Sequence, residues 1–123
     1  MGTVKRPGDY AVNLIHYEDA AALTLQVLLG AGSDGGKGYR GEVFLATDGN
    51  PVTLQGMMDA YASGGACSSN VEFVGTGGAA TSKALDNRKT RRLLGEAWEP
   101  KYPSCADFLA SGSKDWFTTC GLF

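Results

Sequence analysis

The stretch Val12-Asn13-Leu14-Ile15-His16-Tyr17, followed by Glu18-Asp19-Ala20-Ala21-Ala22-Leu23-Thr24-Leu25-Gln26-Val27-Leu28-Leu29-Gly30, decides the fold class. Its first six residues carry the β-branched and aromatic content of a short strand. Glu18 and Asp19 then open a helix, because acids suit the positive end of the helix dipole. Gly30 stands where a helix commonly ends in a left-handed residue. Ala20, Leu23 and Val27 make one apolar stripe and Ala21, Leu25 and Leu28 another. The helix is therefore predicted to be buried on more than one side.

Working outward, residues 42–47 form an apolar run that predicts a strand covered on both faces. Asp48-Gly49-Asn50-Pro51 is a turn cluster. Thr53 is a good N-cap for a helix with Leu54, Met57, Met58 and Tyr61 on one face, stopped by Gly64-Gly65. Val71–Val74 alternates as a strand, and residues 75–80 read as a glycine-rich loop. Asp86 caps a short basic helix over residues 87–94, which Gly95 stops. Pro100 and Pro103 bracket an extended stretch, and Ser104 caps a last helix through Phe108 and Leu109. The order βαβαβαα is that of an α/β protein with some parallel pairing. Three short strands are too few for a complete parallel sheet, so the pattern is that of part of a domain.

Composition narrows the function. The chain has 123 residues, 43% hydrophobic and 20% charged, with a net charge of −2, which argues against a nucleic-acid or membrane-surface binder. The apolar run over residues 20–29 is far too short for a membrane span. Eighteen glycines are twice the average usage of about 7%, so tight and loose connections abound. Cys67, Cys105 and Cys120 are odd in number and form no C-x-x-C spacing. Together with the absence of a secretory h-region in residues 1–13, this points to a reducing, cytoplasmic setting.

Few motifs carry chemistry. Gly30-Ala31-Gly32-Ser33-Asp34-Gly35 matches G-x-G-x-x-G but follows a helix and precedes a strand, the wrong polarity for cradling a pyrophosphate. Gly75-Thr76-Gly77-Gly78-Ala79-Ala80 follows a strand, but the next helix is expected only near Asp86, too late to aim its N-terminus at a phosphate. His16 is the sole histidine. With Glu18 and Asp19 it lacks a second His or a nearby Cys to complete a metal shell, so a structural role with one hydrogen bond is expected. Lys83, Arg88, Lys89, Arg91 and Arg92 lack interleaved aromatics and read as a solvated face. Trp98, Tyr102, Phe108, Trp116 and Phe117 read as core or cover.

Four stretches carry a resemblance. They are Val12 to Ala21, Glu42 to Thr53, Ser82 to Gly95, and Trp98-Glu99-Pro100-Lys101-Tyr102-Pro103-Ser104. In order and spacing they resemble the C-terminal, substrate-binding part of the extended short-chain dehydrogenase/reductases, the NAD-dependent epimerase/dehydratases, over roughly residues 10–112. The resemblance implies a partial Rossmann-type α/β domain over residues 12–112, a flexible N-terminal segment (1–11) and a C-terminal tail (113–123). It implies NAD(P) for a full-length parent, with Met1 falling inside that parent. The family works with a Tyr-x-x-x-Lys pair. Here the residues four beyond Tyr10, Tyr17, Tyr39, Tyr61 and Tyr102 are Leu14, Ala21, Val43, Gly65 and Ala106. The pair and the cofactor loop are thus absent from this chain, no catalytic residue is assigned, and no cofactor is expected to bind the chain alone. Val12 stands where nucleotide-sugar members commonly carry Arg. Asn13, His16 and Asn87 are expected to face or brace a small-molecule substrate site. The expected partner is a missing N-terminal half or a second chain. The alternative is a non-catalytic binding or interaction module derived from that family, for which a homo-oligomer is one expected form.

Overall fold

Gly2–Val4 (β1) pairs in parallel with Val71–Phe73 (β4), in the register Gly2 to Val71, Thr3 to Glu72 and Val4 to Phe73, in a computed structural model that describes residues 2–65 and 71–122. Ala11–Val12 (β2) pairs antiparallel with Val52–Thr53 (β3). The helices are Tyr17–Leu28 (α1), Leu54–Ser63 (α2), Gly78–Thr81 (α3), Arg88–Leu94 (α4), Cys105–Ser111 (α5) and Ser113–Thr119 (α6). The mixed α/β class holds, with two two-stranded sheets among the described residues. No helix among them is long and apolar enough to cross a membrane. The chain divides into two compact units, one of Met1–Val12, Pro51–Ala84 and Ser104–Phe123, the other of Asn13–Asn50 and Leu85–Pro103.

The first unit holds all four strands. Residues 1–11, expected to be a flexible segment, supply β1 and the start of β2. Beyond the ladders, Leu54 N–H donates to Tyr10 C=O and Gln55 N–H to Gly8 C=O. The Thr53 hydroxyl accepts from Gly56 N–H at the start of α2, and Gly65, at φ 70°, follows its end, as the sequence predicts. Helix α2 packs on α5, and Ala60 and Leu109 are buried there. Gly64 is glycine for a steric reason: a Cβ would run into the Leu109 carbonyl oxygen. The Ser104 hydroxyl caps α5 by accepting from Asp107 N–H. The expected tail contains α6, whose Trp116 and Phe117 meet Phe108 edge to face with centroids 5.9 and 6.3 Å away.

In the second unit, Leu23, Leu94 and Trp98 form the core, with Ile15, Val27, Tyr39 and Phe44 packed against it. The Tyr39 hydroxyl lies within hydrogen-bond distance of the Ala31 and Leu93 carbonyls. Two expectations fail here. Of the strand predicted over residues 12–17, only Val12 is in a strand, because His16 is already the N-cap of α1. Residues 42–47 form no strand. Thr90 takes the place of a neighbouring strand, its hydroxyl accepting from Leu45 N–H at 3.0 Å and donating to Leu45 C=O at 3.2 Å. Val43 is 71% exposed, so the run is not covered on both faces. Nor is α1: Leu23 is buried, while Leu25, Leu28 and Leu29 are 53%, 79% and 67% exposed.

The crossing of α2 and α5 gives a stability test. Gly64→Ala is expected to cost about 1–3 kcal/mol, the usual range for overpacking, in urea unfolding. Gly112→Ala, whose Cβ would meet nothing nearer than the Phe108 carbonyl at 3.9 Å, is expected to stay within about 0.5 kcal/mol of wild type.

Candidate functional site

Asp19 lies in the first turn of α1 and is 2% exposed. Its carboxylate accepts from the backbone N–H groups of Lys101 (2.7 Å) and Tyr102 (2.9 Å), and its carbonyl accepts from the Trp98 indole N–H at 3.1 Å. One residue thus ties the start of α1 to residues 98–102. A buried carboxylate is tolerable only when hydrogen-bonded in this way, and the helix N-terminus adds a favourable field. Beside it, His16 Nδ1 accepts from Glu18 N–H at 3.2 Å, which makes the neutral ring the Nε2–H tautomer. Its ring lies on Tyr102 with centroids 3.9 Å apart. Lys101 Nζ pairs with Glu18 at 2.9 Å. That bond, with a smaller contribution from Tyr102, raises the Lys101 ammonium above its ordinary range.

The same unit closes a second layer around the turn 47–50. Asp48 N–H donates to Leu14 C=O at 2.7 Å, and the Asp48 carboxylate accepts from Asn50 N–H. Asn87 Nδ2 donates to Thr47 C=O at 2.8 Å. A Cβ on Gly49, at φ 85°, would lie 2.8 Å from Asn87 Oδ1. The Asn50 side-chain amide donates to Pro103 C=O. Asn13 Oδ1 accepts from Leu85 N–H at 2.7 Å. Thr47 Oγ1 is buried with no partner among the described residues.

The three residues singled out from sequence therefore all lie in one unit as braces. Asn13 holds the entry to α4, His16 caps α1, and Asn87 holds the 47–50 turn. Asp19 escaped notice as a structural centre, because an acid at a helix start reads alike whether exposed or buried. The one available signal was its position in a helix apolar nearly all round.

The other motifs resolve as follows. Gly75–Gly78 does lead from a strand into a helix, α3, earlier than expected. Yet the N–H groups of Gly78 and Ala79 already donate to the Asp9 carboxylate at 3.0 and 3.2 Å, and a Cβ on Gly78 would collide with Asp9 and Tyr10. The protein's own acid fills the position a phosphate would take. Glycines 30, 32 and 35 follow α1, as read from the sequence. Among the described residues no group of His, Cys, Asp and Glu could hold a metal ion. Cys67 lies outside the described residues. In the basic run, Arg88 pairs with Asp86, Lys89 with Glu42 at 2.8 Å, and Arg91 lies 5.8 Å from the Trp98 ring. Comparison with protein-family models, curated proteins and solved structures returns no match.

Two measurements test this geometry. Asp19→Ala leaves two backbone N–H groups without their acceptor and is expected to cost about 2–5 kcal/mol in urea unfolding. The exposed Asp34→Ala is expected to change stability by under about 0.5 kcal/mol. Equal effects would remove Asp19 from the centre of the unit. The Asp86 carboxyl is held below the usual carboxylate range by its hydrogen bonds from Arg88, side chain first and then backbone N–H. Its contribution to stability is present above the ordinary value of 3.8 and is lost as pH falls through the lowered folded value. The Asp86 side chain is 53% exposed, and screening by water keeps the contribution small. NMR titration is expected to find the Asp86 carboxyl below its ordinary value, and Arg88→Gln to move it back up.

Proposed function

We propose that this chain is the substrate-side, C-terminal portion of an NAD(P)-dependent epimerase/dehydratase-like protein, part of a Rossmann-type domain. It lacks the cofactor loop and the Tyr-x-x-x-Lys pair, so it is inactive alone and relies on a missing N-terminal half or a partner chain. The observation that carries this reading is that the four stretches resembling that family are hydrogen-bonded to one another. Asp48 to Leu14, Asn87 to Thr47, Leu85 to Asn13, Asn50 to Pro103, and Asp19 to Lys101 and Tyr102 link every stretch to another. The parts of these stretches over residues 13–21, 42–50, 85–95 and 98–103 belong to one compact unit, which is what a shared origin predicts for them. The uncovered stripe of Leu25, Leu28 and Leu29 on α1 supports the partner requirement, since contiguous exposed apolar surface commonly marks an interaction face.

An antibody raised against this sequence should detect, in the source cells, a species several-fold heavier than 12.9 kDa with Tyr-x-x-x-Lys upstream. A stable species at 12.9 kDa that melts cooperatively and does not bind the hydrophobic dye ANS would defeat the reading in favour of a self-sufficient module. The purified chain, titrated with NADH or NADPH and followed by tryptophan emission, should show no saturable one-to-one binding; observing it would overturn the proposal. Leu28→Lys is expected to lower ANS fluorescence while keeping stability within about 0.5 kcal/mol. A large loss of stability would mean that Leu28 is already covered.

A further inference from the structure

We draw no further inference here: the strongest candidate, the extended segment 42–46 with its exposed Val43 and Leu45, is an unpartnered apolar edge, and nothing in the structure shows what covers it.

Discussion

The second unit is anchored by the buried carboxylate of Asp19. The Asp19 carboxylate is almost fully removed from water and no ion pair of its own is formed among the described residues. Two backbone N–H groups hold it instead. Burying an unpaired carboxylate costs several kcal/mol, and hydrogen bonds to a charged group contribute about 1.5–3 kcal/mol each. Two such bonds, aided by the helix dipole, are enough to retain it. Much else in the unit follows from that anchor. Its carbonyl takes the Trp98 indole N–H as the ring enters the core beside Leu23 and Leu94. Its grip on the Tyr102 backbone sets the tyrosine ring against His16.

Side chains do the work of strands in this unit. In a sheet, the backbone groups of residues 42–47 would be satisfied by a neighbouring ladder. Here Thr90 satisfies Leu45, and Asn87 reaches Thr47. Asn13 does the same for the loop before α4. Each of these side chains is short, with an acceptor or donor at fixed reach, which lets a chain with a strand-like pattern pack without strand pairing.

How much of this was legible follows from the range of each interaction. Caps and stops depend on residues within one turn. Thr53, Ser104, Gly65 and Gly95 therefore mark helix ends in sequence as they do in the structure. Strand pairing depends on partners far apart. Gly2–Val4 has no alternating pattern of its own and becomes a strand only because Val71–Phe73 lies beside it. The apolar run at 42–47 has the right composition and finds no partner strand. Asn13, His16 and Asn87 could be picked out by residue type, but not their roles, because bracing and substrate contact draw on the same polar groups. Asp9 shows the limit most clearly. Nothing local to it announces that it caps a helix some seventy residues away.

Asn13, Asp19 and Asn87 thus spend polar groups on bracing the second unit, while apolar groups remain in water. Leu25 and Leu28 of α1 and its C-cap Leu29 are i, i+3 and i+4 neighbours and are all exposed. Each Å² of apolar surface taken from water is worth about 25 cal/mol. Covering such surface is favourable, and leaving it open invites association. The hydrogen bonds of Asn13, Asp19, Asn87 and Thr90 hold this unit's loops to its helices, and the cost of the exposed leucines is set against that gain.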